Sequence, residues 1–152
     1  MNEKIMMDQA GYSLKRIWTK ACISMAKSPM LPSGVRVRLW KLGGIKLRGY
    51  CFIGSDVELD GIFPDFVEFG NGCTLTSGVR ILTHYYNPST HRYYYGRVTI
   101  GDGVFIGINS LIINSVNIGD RAVIGAGSVV NCDIPAGEVW AGNPARFIKK
   151  LD

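Results

Sequence analysis

The chain contains two histidines, and both lie in one tyrosine-rich stretch. His84 and His91 stand in "THYYNPSTHRYYYGR", residues 83–97. An imidazole accepts and releases a proton near neutral pH. Such a group can act as a general base that makes a neutral hydroxyl nucleophilic, an effect typically worth about 10²–10⁴-fold in rate. The stretch therefore indicates acid–base chemistry, provided that the surrounding elements hold it in place.

The four cysteines, by contrast, show no metal-site or redox spacing. They stand at positions 22, 51, 73 and 132, without a C-x-x-C pair. The first residues, "MNEKIMMDQAGYSLKR", lack the apolar core of a secretory signal. No run of 18 apolar residues is present, so no membrane span is expected. These features favour free thiols in a reducing cytoplasm.

The strongest pattern is a period of six residues between positions 99 and 130. Aliphatic residues recur at that spacing, and the residue after each is Gly or Asn in five of six cases: Ile100, Ile106, Ile112, Ile118, Ile124 and Val130. A period of six fits neither a helix nor a flat strand, but it is typical of a hexapeptide β-helix. Three units close one triangular coil, and each inward aliphatic contributes roughly 1.5–3 kcal/mol. The sequence predicts an all-β fold, a parallel β-helix.

The period extends towards the N-terminus with two breaks. The predicted inward residues form about four coils of three: 47/53/59, 69/75/81, 100/106/112 and 118/124/130. Ten residues separate Leu59 from Phe69, and nineteen separate Ile81 from Ile100. Cys51 and Cys73 take inward positions as small core fillers. The longer break holds both histidines, and a repeat fold admits such an insertion where function requires it.

Both ends of the stack need covers, because terminal coils expose strand edges. Residues 13–28 predict an amphipathic helix, whose apolar positions are Leu14, Ile17, Trp18, Ala21 and Met25. Near the C-terminus, Asn143 as N-cap and Pro144 in the first turn predict a short helix through Lys150. The expected organisation is an N-terminal segment, 1–30, and a β-helix domain, 31–152. That domain contains a loop, 83–96, and a cap, 143–152.

Positive charge is concentrated in the first third of the chain. The net charge is +5, but residues 1–50 carry +8 and the remainder −3. Such an excess suits an anionic membrane, a phosphate-bearing ligand or nucleic acid, and no nucleic-acid motif accompanies it. Trp18 with Lys15, Lys20 and Lys27 allows a weak membrane-surface association of the first helix. Packing of that helix as a cap on the first coil is the favoured interpretation.

The repeat, the His-containing loop and the ending "GEVWAGNPARFIKK" together resemble one family. This family is that of the left-handed β-helix hexapeptide acyltransferases, and the chain resembles its branch of maltose and galactoside O-acetyltransferases. The acetyltransferases of capsule, exopolysaccharide and lipopolysaccharide gene clusters are the most similar. The resemblance covers about residues 30–150. It implies a left-handed coil, a homotrimer with active sites between subunits, and acetyl transfer from acetyl-CoA to a sugar hydroxyl. No metal is expected.

The resemblance also implies roles for individual residues. His84 matches the family's catalytic base, although the family often reads Asn-His or Gly-His before a Pro where this chain has Thr83-His84-Tyr85. His91 is expected to be a loop or trimer contact. The acetyl-CoA candidates are Gly107, Gly125, Ala126, Asn131, Arg146 and Lys149. The acceptor candidates come from side-chain chemistry at the two breaks and not from the resemblance: Tyr85, Asn87, Asp60 and Asp65. Either aspartate could instead orient His84.

Several alternatives stay open on the sequence. The acceptor could be an amino sugar, which would make the reaction an N-acetylation, or the β-helix could be a scaffold without activity. The tyrosines of the loop could cover a sugar or pack against a neighbouring subunit. A γ-class carbonic anhydrase needs three histidines per metal, and this chain has two. A serine acetyltransferase carries a large helical N-terminal domain, for which one helix is too little.

Overall fold

The computed structural model describes residues 14–61 and 63–152. Two helices come first in this part of the chain, α1 (Leu14–Ala26) and α2 (Ser33–Leu42), and a 3-10 helix spans Pro64–Phe66. The strands are β1 (Lys46–Leu47), β2 (Cys51–Ile53), β3 (Glu58–Leu59), β4 (Val67–Phe69), β5 (Cys73–Leu75), β6 (Arg80–Ile81), β7 (His84–Asn87), β8 (Arg92–Tyr95), β9 (Val98–Ile100), β10 (Phe105–Ile106), β11 (Leu111–Ile112), β12 (Val116–Ile118), β13 (Val123–Ile124), β14 (Val129–Val130), β15 (Glu138–Ala141) and β16 (Arg146–Lys150).

The strands form three parallel sheets that the chain visits in turn. The first sheet has the order β1-β4-β9-β12, the second contains β2-β5-β10-β13, and the third β3-β6-β11-β14. Because consecutive strands belong to different sheets, the backbone winds as a parallel β-helix. Ile106, for example, pairs with Leu75 on one side and Ile124 on the other. This register is the one that the period of six predicts, and it continues across both breaks.

The core lies along the axis of the coil. The inward aliphatics of β6, β9, β10, β11, β13 and β14 are completely buried. Cys51 and Cys73 lie opposite each other in β2 and β5 and are buried, as predicted for core fillers. The hydrogen bond between the two thiols, together with burial, raises the pKa of Cys73. Its thiol therefore stays neutral and acts as a small core residue.

The predicted N-terminal helix, 13–28, is present as α1, which ends at Ala26, two residues earlier than predicted. Residue 13 lies outside the described residues. The predicted packing face of α1 is wrong. The buried residues of α1 are Thr19, Cys22, Ile23 and Ala26. The larger apolar side chains point to solvent, with exposed fractions of 85% for Leu14, 53% for Ile17, 58% for Trp18 and 60% for Met25. Small residues are buried because α1 lies close to the end of α2, where the Thr19 hydroxyl donates to the Gly43 carbonyl over 2.8 Å.

The second helix, α2, was not predicted, and it closes the N-terminal end of the core. Trp40 is completely buried, and its ring centroid lies 5.5 Å from that of Phe69. The buried Arg36 donates Nη1–H to the Ile53 carbonyl over 2.9 Å and Nη2–H to the Ser28 carbonyl over 3.2 Å. One charged group thus ties α2 to both the segment after α1 and the first coil. Neither described helix is long and apolar enough to cross a bilayer.

The C-terminal cover is a strand, so the predicted helix over 143–150 is wrong. β16 pairs antiparallel with β15, and Trp140 lies opposite Phe147. The turn between these strands contains Gly142 at φ +105° and Pro144. β15 would otherwise leave a row of backbone groups unpaired at the edge of the second sheet, and pairing satisfies them. Edge hydrogen bonding, rather than burial of a helix face, decides the structure of this segment.

Candidate active site

The long break in the repeat forms a β-hairpin that leaves the coil after the third sheet. β7 and β8 pair antiparallel, with His84 opposite Tyr95 at the base. At the tip, the side-chain oxygen of Asn87 accepts hydrogen bonds from the backbone N–H of Ser89 over 2.9 Å and of Thr90 over 3.4 Å. The 84–95 hairpin is therefore an ordered arm with its first histidine at the coil surface.

His84 is held by a buried carboxylate. Its Nδ1 lies 2.5 Å from Oδ2 of Asp60, whose side chain is 1% exposed, whereas the His84 side chain is 27% exposed. An ionised carboxylate can only accept, so in the neutral ring Nδ1 carries the proton and the lone pair is at Nε2. The pair thus fixes the tautomer and the orientation of a ring that solvent can still reach. Such a ring is suited to take a proton at Nε2.

Asp60 is itself fixed by a residue that the sequence did not single out. Both the backbone N–H and the hydroxyl of Thr83 donate to Oδ2 of Asp60, over 3.1 Å and 2.6 Å, and Thr83 is completely buried. The signal for this contact is the register of the third sheet. Leu59 pairs with Ile81, so the residue after Leu59 must lie beside the chain that leaves β6.

An aromatic wall borders the histidine. The Tyr95 ring centroid lies 6.1 Å from that of His84 and 4.8 Å from that of Phe63, which in turn stacks on Phe66 at 5.0 Å. Tyr95 is 8% exposed. Burial, followed by the charges of Tyr93 and Asp60, raises the pKa of Tyr95, so its phenol stays neutral. The wall shields one side of the imidazole from water.

The acceptor candidates occupy different positions around His84. Asp60 lies directly against its ring, and Tyr85 follows it in β7 with an exposed ring that stacks on Tyr94 at 5.3 Å. Asn87 is at the hairpin tip, where its oxygen is engaged, and Asp65 is exposed in the 3-10 helix. The second histidine, His91, is also at the tip, with Nδ1 3.0 Å from the hydroxyl of Tyr86. The structure thus brings Asp60 to His84 and places His91 elsewhere on the arm.

Three acetyl-CoA candidates share one corner of the coil, between the second and third sheets. Gly107 follows β10, and Gly125 and Ala126 follow β13. A Cβ on Gly107 would lie 2.5 Å from the backbone nitrogen of Ala126, so close stacking of the two coils requires a glycine there. Ala126 is exposed. The corner therefore presents backbone and a small side chain to solvent.

The remaining three candidates lie nearer the C-terminus. Asn131 follows β14 and is exposed, and Arg146 and Lys149 are exposed on β16. The Arg146 guanidinium donates one bond to the Ala145 carbonyl over 3.0 Å. His84 leaves the coil after the third sheet, whereas Gly107 and Ala126 lie after the second. Within one subunit a face of the coil separates the two groups. Among the described residues, no cluster of three or more His, Cys, Asp or Glu could hold a metal ion.

Comparison with known proteins agrees with this architecture. The family model described as bacterial transferase hexapeptide (six repeats) matches residues 97–132. Protein CapG of Staphylococcus aureus is 40% identical over 116 residues, which cover 72% of this chain and 67% of CapG. The chain belongs to the bacterial hexapeptide-repeat transferases. The predicted family is thereby confirmed.

A second relative of this hexapeptide-repeat transferase matches over a shorter region. "Putative acetyltransferase YvoF" of Bacillus subtilis (strain 168) is 42% identical over 89 residues, which are 59% of this chain and 51% of YvoF. The chain spans about half the length of YvoF and two thirds that of CapG.

A solved structure shows the same fold over most of the chain. The galactoside acetyltransferase in complex with coenzyme A superimposes with a TM-score of 0.71 at 24% identity, covering 91% of this chain and 81% of that one. This likeness establishes the fold, and the chemistry must be argued from the residues of the present chain.

Proposed function

We propose that this hexapeptide-repeat transferase moves an acetyl group from acetyl-CoA to a hydroxyl of a sugar, with His84 as the general base. The contact between Asp60 and His84 carries the proposal. It combines a buried carboxylate, a fixed tautomer and a partly exposed ring at the one long break in the repeat. Family membership supplies the class of reaction, and the hairpin supplies the group that performs it.

The proposed step is direct transfer. Nε2 of His84 takes the proton of the acceptor hydroxyl as the hydroxyl oxygen attacks the thioester carbonyl carbon. The carbon–sulfur bond then breaks, and His84 returns the proton to the departing thiolate, so that the ester and the free thiol are the products. Asp60 stabilises the imidazolium that forms between the two proton transfers and keeps the ring in the productive orientation.

A complete site of this kind needs a second copy of the chain. The corner with Gly107 and Ala126 and the corner with His84 are separated by a face of the coil in one subunit. The family resemblance implies a homotrimer of left-handed prisms, and the period of six predicts about four coils in each. In such a trimer these two corners of neighbouring subunits meet. We therefore place the proposed active site at the seam between subunits.

The residues at these corners suit the chemistry of acetyl-CoA. The exposed Ala126 and the adjacent glycines let a thin pantetheine arm approach backbone N–H and C=O groups. Arg146 lies opposite Ala141, next to Gly125 at this corner, and Lys149 is further along β16; both are exposed cations that suit the phosphates of the nucleotide. Asn131 follows the third sheet, on the side of His84, and can donate to the arm. Gly107 and Gly125 have a structural role in coil stacking as well, so their contribution to binding is through the shape of the groove.

The acceptor is proposed to be a sugar of a surface polysaccharide or its precursor. The exposed ring of Tyr85, next to His84, suits the apolar face of a pyranose. Asp65, exposed beside the aromatic wall, can accept hydrogen bonds from sugar hydroxyls. Asn87 is closer to the hairpin tip and can contribute its amide N–H groups.

A thiol-release assay with acetyl-CoA tests the proposal. Nucleotide sugars and lipid-linked oligosaccharides serve as acceptors, with amino sugars as a separate arm that reports N-acetylation. The wild type should release thiol with at least one hydroxyl acceptor, and His84→Ala should lower turnover by about 10²-fold or more. His91→Ala is the matched control and should stay near the wild type. Near-normal turnover of His84→Ala would remove His84 from the mechanism.

A further inference from the structure

The outer face of α1 carries an apolar stripe that nothing in the described part of the chain covers. Ile17, Trp18 and Met25 are between 53% and 60% exposed, and Leu14 is 85% exposed. The face that packs against the protein is the opposite one, made of Thr19, Cys22, Ile23 and Ala26. The helix thus has two apolar sides, and only one of them serves the fold.

The stripe continues onto the end of α2. The indole N–H of Trp18 donates to the Leu42 carbonyl over 3.1 Å, which holds the outer face of α1 beside the C-terminal turn of α2. Leu42, the last residue of α2, is 63% exposed, and Val35, two turns earlier on the same face of this helix, is 37% exposed. We call one set of exposed side chains on α1 and α2 the basic–apolar patch. It consists of the apolar Leu14, Ile17, Trp18, Met25, Val35 and Leu42 and the cations Lys15, Lys20, Arg38 and Lys41.

The charge around this patch has one sign. Residues 9–55 contain nine Lys or Arg and no Asp or Glu. Lys27 pairs with Glu58 over 2.7 Å and Arg48 lies 3.6 Å from Glu68, so these two cations are engaged with the coil. The four cations of the patch are exposed, and the ion pairs among the described residues involve none of them. The patch therefore presents apolar and positively charged groups side by side.

We propose that the basic–apolar patch docks this protein on the surface of a bilayer that contains anionic lipids. Apolar side chains enter the boundary between headgroups and acyl chains, while neighbouring Lys and Arg meet anionic headgroups. A second copy of the chain suits the patch less well. Two such patches face to face would bring like charges together, with no carboxylate from residues 9–55 to compensate them.

The patch lies at the end of the coil that carries the candidate active site. The Lys20 side chain of α1 packs beside Gly61, the residue after Asp60: its Cε lies 3.5 Å from the position that a Cβ on Gly61 would take. Resting on the proposed function, this placement implies that the acceptor hydroxyl belongs to a lipid-linked glycan at the membrane surface. Docking itself depends only on the patch and stands without that function.

Vesicle flotation of the full chain tests the docking. The wild type should float with phosphatidylcholine vesicles that contain phosphatidylglycerol, and much less with phosphatidylcholine alone. Two double variants change the patch. One combines Ile17→Asp with Met25→Asp, and the other combines Arg38→Glu with Lys41→Glu. Each should lower binding to the anionic vesicles about tenfold or more. Ile148→Asp and Arg121→Glu alter an exposed apolar residue and an exposed cation near the other end of the coil, and they should bind like the wild type.

Trp18 supplies a second readout. Its exposed indole should shift to shorter emission wavelength on anionic vesicles, and the shift should be lost in Trp18→Phe. Equal binding to neutral vesicles, or unchanged binding of both patch variants, overturns the proposal. A change of oligomeric state without a change in flotation assigns the patch to a second copy and also overturns it. His84→Ala should float like the wild type, which separates a failure of docking from a failure of the proposed reaction.

Discussion

Oδ2 of Asp60 lies 2.5 Å from Nδ1 of His84, although the two residues are 24 positions apart in the chain. The third sheet produces this contact. Leu59 and Ile81 pair in adjacent strands, so the residues that follow them leave the sheet side by side. Each coil has its own turn after the third sheet, and here one turn supplies the carboxylate and the other the imidazole. The strand pairing of the repeat thus sets the distance between the Asp60 carboxylate and the His84 imidazole.

The Asp60→Asn variant tests the role of that contact. An amide can present N–H to the ring where the carboxylate only accepts, which favours the wrong tautomer of His84. We expect kcat to fall by about 10²–10⁴-fold with little change in KM for acetyl-CoA, because the ring and not the cofactor groove is disturbed. Steady-state thiol release measures both constants.

The control for that variant is Asp120→Asn. Asp120 is an exposed aspartate that follows β12 in the first sheet, and its Oδ1 accepts from the Asp102 backbone N–H over 2.8 Å, a bond that an amide oxygen also accepts. Its kcat should stay within a few-fold of the wild type. Thermal unfolding of both variants checks the fold, because Thr83 loses two bonds to a carboxylate in Asp60→Asn. A folded Asp60→Asn with wild-type kcat would show that the contact has no part in catalysis.

The β-helix and its register followed from the sequence, because a period of six leaves little freedom. Once Ile81 and Ile112 are assigned to the axis, the strands on both sides are fixed, and the structure has this pairing. The contact of Asp60 with His84 was within reach of the same argument. Which of Asp60 and Asp65 faces the ring depends on the path of the chain through the first break, and the period carries no information there.

The covers at the two ends were harder to predict. In α1 the larger apolar side chains indicated the packing face, but close approach to Gly43 buries Cys22 instead, and Ala26, one turn later, is buried as well. In the α2 segment, apolar residues alternate at Val35, Val37 and Leu39, a pattern that is typical of a strand. The segment is nevertheless a helix, which the contact of Trp40 with Phe69 stabilises. At the C-terminus an unpaired strand edge determined the outcome. Tertiary contacts of this kind are not encoded in local periodicity.

Substitution of one inward residue should unfold the stack far more readily than substitution of its neighbour. Ile106 is completely buried, and Ile108, two residues later, is 49% exposed. Ile106→Ala should lower the free energy of unfolding by about 2–5 kcal/mol, and Ile108→Ala by less than about 0.5 kcal/mol. Urea unfolding followed by circular dichroism gives both values. Equal losses for the two variants would contradict the assignment of the axis.

Acid should weaken the link between α1 and the first coil. The hydrogen bond from Lys27 holds the pKa of Glu58 below its ordinary value, and Arg80 nearby adds to this effect. A carboxyl group whose pKa is lowered by folding stabilises the fold at pH values above its ordinary pKa. This stabilisation disappears as the pH falls through the lowered pKa. The wild type should therefore be more stable than Glu58→Gln at neutral pH, and the difference should vanish at a pH of about 3 or below.

The pH dependence of this stability difference is measured from the urea midpoints of the wild type and Glu58→Gln at several pH values. The effect should be small because both side chains are about two fifths exposed. Asp133→Asn corrects for the general effect of removing a negative charge, because Asp133 is exposed and an amide oxygen can still accept the hydrogen bond from the Asn117 backbone N–H. A difference that grows in acid would reverse the expected sign.

A solved complex of this hexapeptide-repeat transferase with coenzyme A is the most direct test of the proposed active site. We predict a trimer in which the cofactor thiol lies within about 3–4 Å of Nε2 of His84, in a groove whose other wall is the Ala126 corner of the neighbouring subunit. A coenzyme A that binds to a single subunit, with its sulfur remote from His84, would contradict the mechanism.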